Sequence, residues 1–527
     1  MDLIGFSYHF YAASLFVLCG ICVSLIHFFF TPTDQKWSLG SKRWALPPGP
    51  PGVPVLGNLR QMMDAREGGP IAFNQWLVSL MSYGEMATLH MGSHTWVVLN
   101  SARVASELIA KRGKVTNERP PMPIASDLVS NRKRVVIQQE EEWREGRRVM
   151  HQLLSGSHLK VYAGMQELES VDMLRRYLRE PNLWFAHNFR YATSVLYRVV
   201  MGYPLNKTKT ELDGFQTTAA EFIGSINGSY VDFFPAVTKL PQILQPWRRF
   251  WAGMGAAHRR LLQGWWHPIR TAVKEGSAPP SFVRDILLHP DVRYSGTDDD
   301  AMYLASSVMA AGGDNLRMAL NTFVMAMITR PDIQAKAREE VDRVCTDGKT
   351  LRLPRMSDLA DMPYIASMVK EVIRWRPTVP LIPPHQLTED IEFEGYSFPA
   401  GTIFVINSVA LSSEFNDADD FKPERWLEGE GADAYGASNF WFFGGGRRMC
   451  VGWKVAQQAL FIAFSRYVYS FELTPNGLVD DKILNHRTVD EPFPVRITIR
   501  SAEHAALIEE EASKYEANFS TFGSKSK

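Results

Sequence analysis

Phe443-Gly-Gly-Gly-Arg-Arg-Met-Cys-Val-Gly452 sets one cysteine in a glycine-rich loop beside two arginines, and Trp453-Lys-Val-Ala-Gln-Gln-Ala-Leu460, which follows at once, reads as a helix. A cysteine sulfur ligates a metal only as the thiolate, and nearby cations or a helix N-terminus lower its pKa from about 8.5. Arg447 and Arg448 are the expected cations, and Cys450 falls near the positive end of the helix. Gly444, Gly445 and Gly446 carry no Cβ to stop backbone amides turning toward the sulfur, and such hydrogen bonds tune a bound iron. A lone cysteine among glycines is most often an inert loop residue. The order of residues elsewhere in the chain decides between the two readings.

The spacing F-x-x-G-x-R-x-C-x-G is filled by Phe443, Gly446, Arg448, Cys450 and Gly452, and it resembles the haem-binding loop of the cytochrome P450 family. The resemblance implies haem b with Cys450 as the axial iron ligand and Phe443, Arg448 and Gly452 around it. Trp143-Arg-Glu-Gly-Arg147 resembles the family's W-x-x-x-R helix, whose tryptophan and arginine meet a haem propionate by charge-assisted pairing. His385, after Pro383-Pro384, stands where the family has another propionate contact, and is expected to donate a hydrogen bond rather than bind iron. Glu371-Val-Ile-Arg374 places acid and base on one helix face. Together with Phe421-Lys-Pro-Glu-Arg-Trp426 it resembles the family's E-x-x-R and P-E-R-F segments, with Trp426 in place of the phenylalanine. A buried structural network of Glu371, Arg374 and Arg425 holding the cysteine loop is implied.

Thr297-Asp-Asp-Asp300 is a capping-box-like start, and helical sequence then runs unbroken to Pro331, a span of about 50 Å. Gly312 and Gly313 each cost about 1 kcal/mol in mid-helix relative to alanine. Beside Asp314 they are read as room for a flat ligand rather than for close helix packing. Ala311-Gly-Gly-Asp-Asn-Leu316 resembles the family's oxygen-binding signature A-G-x-D/E-T-T/S and departs from it at Asn315, where most members carry threonine. Asp314 and Asn315 are therefore the catalytic candidates, Asp314 bringing protons from solvent and Asn315 unable to relay one by an O–H route. Substrate is expected near Met309, Ala310 and Gly313 on this helix and near Thr378, Val379 and Leu381 after the ion-pair helix. The segments 117–127 and 222–235 shape that pocket without a readable code.

Lys+Arg and Asp+Glu each total 57 in 527 residues, so no basic excess marks a nucleic-acid partner. Of four cysteines, Cys19 and Cys22 lie in an apolar run, leaving Cys345 and Cys450; a disulfide framework is excluded and a reducing compartment fits. Phe10 to Phe30 contains no Asp, Glu, Lys or Arg and is long enough to span a bilayer. Lys36, Lys42 and Arg43 follow it while only Asp2 precedes it, which places the rest of the chain in the cytosol. The expected organisation is a single-pass anchor over 1–31, a proline-rich connector over 32–58, a catalytic domain over 59–502 and a polar tail, frayed or disordered, over 503–527, on the endoplasmic reticulum membrane. The sequons at Asn206, Asn227 and Asn518 would then go unused. A hairpin around Gly92-Ser93, helices over 298–330, 332–346, 362–376 and 453–470, and short strands within 392–407 and 492–500 make the fold class mainly α with a small β part.

The resemblance implies dioxygen activation on the haem and monooxygenation of a lipophilic small molecule. No G-x-G-x-x-G unit is present, so reductant must come from a partner, which the resemblance identifies as an NADPH-cytochrome P450 reductase. Lys422, Arg447, Arg448 and Lys454 form a candidate patch for it. Arg374-Trp-Arg-Pro377 and Pro384-His385 look most like fungal members that tailor secondary metabolites. Asn315 keeps open a rival, oxidative radical coupling of phenolic or indole-like substrates. A haem sensor or carrier would need neither Asp314 nor the basic patch.

Overall fold

Helix Asp298–Thr329 is the axis of the protein. Thr297 and Asp300 close its start as a capping box, the Asp300 N–H donating to Thr297 Oγ1 at 3.2 Å and the Thr297 N–H to Asp300 Oδ2 at 2.9 Å. It ends at Arg330 because Pro331 forbids the α conformation to the residue before it. The structure, a computed structural model, describes residues 44–348, 350–427, 440–481 and 493–523. Helices His158–Arg179, Trp184–Met201 and Trp453–Ser470 pack around the axis and share one apolar core with it. Stacked Phe323 and Phe464, with ring centroids 3.9 Å apart, tie the axis to the helix after the cysteine loop. The protein is mainly helical, with small sheets.

The principal sheet has four strands in the order Met86–Met91, His94–Leu99, Ile403–Ile406, His385–Gln386. The first two form the expected hairpin, with Met91 paired to His94 across Gly92-Ser93. One sheet face packs on Leu59, Met62 and Leu77; the other, through Val97, Leu99 and Phe404, packs on Leu108, Ile109 and Trp441 beneath the cysteine loop. Antiparallel pairing of His385 with Phe404 fixes the histidine at the sheet edge.

Residues 1–31, read as the anchor, lie outside the described residues, as do 32–43 of the connector. Among the described residues no helix is long and apolar enough to cross a membrane. From Pro48 onward the connector is stitched to the hairpin, with the Thr88 N–H donating to the Pro48 carbonyl at 3.0 Å. Of the two readings of the polar tail, frayed helix or disorder, the described residues form a helix, Ala502–Gly523. Ile508, Ala512 and Tyr515 recur at helical spacing and bury one face against the core, which sparse apolar composition alone did not reveal.

Candidate active site

The cysteine loop is shaped by what surrounds it. A Cβ on Gly445 would stand 1.8 Å from the Trp441 ring, and Gly444 takes φ 74°, a region L side chains rarely adopt. This closes the loop so that the Cys450 N–H donates to the Phe443 carbonyl at 2.8 Å. Helix Trp453–Ser470 begins three residues after the cysteine, as expected, with Gly452 at its N-cap. Cys450 is exposed as a residue, while protein atoms surround its thiol. Burial pushes its pKa up, opposed by a hydrogen bond from the Gly452 amide and by the Arg147 guanidinium.

Two expectations are corrected here. The amide facing the sulfur belongs to Gly452, not to Gly444–Gly446, because the loop glycines serve the turn and the Trp441 contact. The cation favouring the thiolate is Arg147, since Arg447 turns outward to Glu140 at 3.6 Å and Arg448 turns inward over Trp143.

Helix Glu140–Leu153 brings Trp143 and Arg147 to the loop. The Arg448 guanidinium lies 4.1 Å from the Trp143 ring centroid, and that of Arg147 lies 5.8 Å from it. Arg448 Nε donates to the Asn117 carbonyl at 3.0 Å, while its Nη2 is sealed from solvent without a partner. Burial lowers Arg448 to about 10, so it remains cationic at neutral pH. His385 is buried, with Nδ1 2.9 Å from the Thr116 carbonyl, so Nδ1 carries the proton. Burial, with Arg119 and Arg448 adding, lowers its pKa to about 3.

Arg119 escaped the sequence reading because no spacing pattern marks it. Its Nε donates to the Val136 carbonyl at 3.0 Å and its Nη1 to the Pro383 carbonyl at 2.8 Å, bracing the chain just before His385. Positive groups therefore converge near the cysteine, and one carries a sealed donor that nothing in the described chain accepts. These features fit a flat anionic group bearing carboxylates and bound through its metal to a thiolate.

Behind the loop, Glu371 and Arg374 are both 0% exposed and pair at 2.8 and 2.9 Å. Arg425 Nε donates to Glu371 Oε1 at 3.1 Å, giving the expected three-way arrangement. Trp426 has a reason beyond size: its indole Nε1–H donates to Glu371 Oε2 at 2.8 Å, a bond phenylalanine cannot make.

On the long helix, Ala311 is exposed, Ala310, Gly312, Asp314 and Asn315 are half-buried, and Met309, Gly313 and Leu316 are buried; Ala310, Ala311, Asp314 and Asn315 share the accessible face. Met309, at 3% exposed, is corrected from pocket to core. Gly313 is corrected as well: it is buried, and a Cβ there would approach Thr193 Oγ1, 3.8 Å away, on the neighbouring helix. Close packing accounts for the glycine at Gly312, where a Cβ would stand 2.6 Å from Leu196, whereas at Gly313 a Cβ would make only an ordinary contact. Asp314 is held by Arg317 at 2.6 Å, and Asn315 Nδ2 donates back to the Ala311 carbonyl at 2.7 Å. Thr378, Val379 and Leu381 are half-buried on the segment leading to His385, with Leu381 bridged to Asn407.

The segments 117–127 and 222–235 are joined by Asp232, whose Oδ1 accepts from the Ile124 N–H at 3.0 Å while Oδ2 is sealed without a partner. Burial pushes this carboxyl up to about 7, with Asp127 adding and the Ile124 and Ser229 amides and Arg66 opposing. A carboxyl raised in the folded state keeps a proton that the unfolded chain has released. Stability from this group therefore declines as pH rises from about 4 to about 7 and stays low above that. Asp232→Asn, which cannot ionise, should gain on the wild type by on the order of 2 kcal/mol between pH 5 and pH 8. Thermal unfolding of both proteins across that range checks it, and a constant gap would contradict the assignment.

Of the basic patch, Lys422, paired with Asp417 at 3.3 Å, and Arg447 stay on the surface, with the Lys454 ammonium 5.2 Å over Trp453. Arg448 leaves the patch, drawn inside by Trp143 and the Asn117 carbonyl.

A sequence profile of the cytochrome P450 family matches residues 47–496, and the chain belongs to that family. It is a cytochrome P450 monooxygenase-type oxidoreductase, using haem-thiolate iron and NADPH electrons delivered by a reductase. It is similar to the cytochrome P450 monooxygenase virE of Hypocrea virens, at 29% identity over 90% of this chain and 89% of that protein. A cytochrome P450 monooxygenase of Armillaria gallica is 30% identical over 88% and 93%, and verL of Clonostachys rogersoniana 29% over 95% and 94%. A zebrafish cytochrome P450 solved with progesterone shares the fold, with TM-score 0.65 and 21% identity over 81% of this chain and 99% of that one.

Proposed function

We propose that Cys450 holds the haem b iron and that the protein monooxygenates a lipophilic small molecule in fungal secondary metabolism. The observation carrying the site assignment is the placement of the Cys450 thiol, on an exposed loop residue, against the Gly452 amide and Arg147 just before a helix N-terminus. Trp143, Arg147, Arg448 and His385 would hold the haem and its propionates, with Phe443 and Gly452 at the cysteine, and the sealed Nη2 of Arg448 supports that set. Haem iron bound by a thiolate supplies reductive activation of dioxygen. The fungal origin of the similar monooxygenases supports the setting. The charge-free run from Phe10 to Phe30 supports an anchor in the endoplasmic reticulum membrane with the catalytic domain in the cytosol.

Asp314 and Asn315 stand on the accessible face of the long helix, where Asp314 brings protons from solvent. Arg317 orients the Asp314 carboxylate, which remains within reach of solvent. Asn315 commits one N–H to the Ala311 carbonyl and presents its Oδ1 and second N–H, neither of which hands on a proton as a hydroxyl does. This observation favours, as a second reading, oxidative coupling of phenolic or indole-like substrates, where radicals join and oxygen is not inserted. Asn315→Thr should raise the share of hydroxylated product by about tenfold if proton delivery limits hydroxylation. Product analysis after turnover with reductase and NADPH tests this; unchanged products would remove the coupling reading.

A further inference from the structure

Arg134 is buried to 2% exposure, and among the described residues its charge has no carboxylate partner. Its guanidinium lies 4.5 Å from the centroid of Phe222 and 5.9 Å from that of Tyr303. Among the described residues no side chain or carbonyl accepts a hydrogen bond from it and no carboxylate pairs with it. The carboxylates nearby are engaged elsewhere: Asp299 with Arg259 at 3.0 Å, Asp300 with Lys133, and Glu221 with His258 at 2.7 Å. None of the Arg134 nitrogens is among the sealed polar atoms, so the little access the residue keeps is at its charged end.

Burial lowers Arg134 only to about 10, which leaves it a cation at neutral pH. Ring faces offset part of the cost of taking it out of water, but no protein group among the described residues accepts from its N–H donors. Such a group is stabilised by an occupant that brings both negative charge and in-plane oxygens.

The position suits that role. Phe222 ends the helix Lys209–Ser225, and Tyr303 lies on the long helix eight residues before Ala311, about 12 Å along its axis from the accessible face. Met122, Ile124, Ala125, Val129 and Ile137 pack with Phe222 in one apolar cluster.

We infer that the substrate is a lipophilic acid whose carboxylate pairs with the Arg134 guanidinium while its apolar body extends toward Ala311. The inference rests on the reading that the Ala310–Asn315 face meets the reacting end of the substrate. Fatty and aryl-alkyl acids have the required chemistry, and neutral hydrocarbons or esters of the same skeleton do not.

The test uses the full-length, haem-loaded protein in detergent and equilibrium dialysis, which reads binding without turnover. Labelled dodecanoate and methyl dodecanoate are compared on wild type, Arg134→Gln, Arg134→Lys and the similarly long, uncharged Arg134→Met. Wild type should bind the acid at least about tenfold more tightly than the ester. Arg134→Gln and Arg134→Met should bring that ratio to about one, and Arg134→Lys should keep part of it. A wild-type ratio near one, no binding of either probe, or an unchanged ratio in Arg134→Gln overturns the inference. The reduced, carbon monoxide-treated spectrum of each variant reports whether it folds around haem. Absence of its red-shifted band in wild type would count against the Cys450 assignment, while the dialysis ratio would still judge Arg134.

Discussion

Reduced membranes carrying Cys450→Ala should show no red-shifted Soret band on addition of carbon monoxide, wild type at equal protein amount should show a full one, and product formation in the variant should fall to background. The sulfur is the group that the loop is built to present, reached by the Gly452 amide and the Arg147 charge. Alanine keeps the loop backbone, including the Cys450 N–H bond to Phe443, because that bond uses no side-chain atom. The expected loss is therefore one of ligation rather than folding, and circular dichroism of the variant should match wild type. Persistence of the red-shifted band in Cys450→Ala would remove the thiolate from the mechanism.

Glu371→Ala should destabilise the protein by about 3–5 kcal/mol, the cost of leaving a buried ion-pair partner uncompensated. The estimate rests on position, since Glu371 and Arg374 have no exposed surface and Glu371 also takes the Arg425 and Trp426 donors and the Lys422 amide. Trp426→Phe removes one donor and leaves the pair, so its cost should stay near 1–3 kcal/mol. Thermal unfolding of the two variants, read with the fraction that retains the carbon monoxide band, separates them. Equal losses would mean that Glu371 is not the centre of the arrangement.

Elements whose partners are close in sequence were the legible ones. The hairpin, the capping box at Thr297, the start of helix Trp453–Ser470 and the Glu371–Arg374 pair all follow from local spacing. Arg425 was reached only through the family resemblance, because 54 positions separate it from Glu371. On the long helix the periodicity gives two stripes but not which one faces the neighbouring helix, and Met309 and Gly313 belong to the buried one. The cation beside the sulfur was misjudged for a related reason: Arg447 and Arg448 adjoin Cys450 in sequence, yet Arg147 adjoins it in space. Arg119 and Arg134 sit singly in irregular segments, where neither helix nor strand period assigns a direction. Their meaning comes from distant contacts, such as that of Arg119 with Pro383, 264 positions away.

The closing helix Ala502–Gly523 has a consequence for how the molecule comes into being. Tyr515 donates its hydroxyl to Glu169 Oε1 at 3.3 Å, and Glu169 is paired below the surface with Arg198. That ion pair is thus made by helices from the first half of the chain and covered by one of its last residues. Glu169 and Arg198 stand more than 300 positions before Tyr515 in the chain, so this cover cannot close over the charge pair until that intervening sequence has been made.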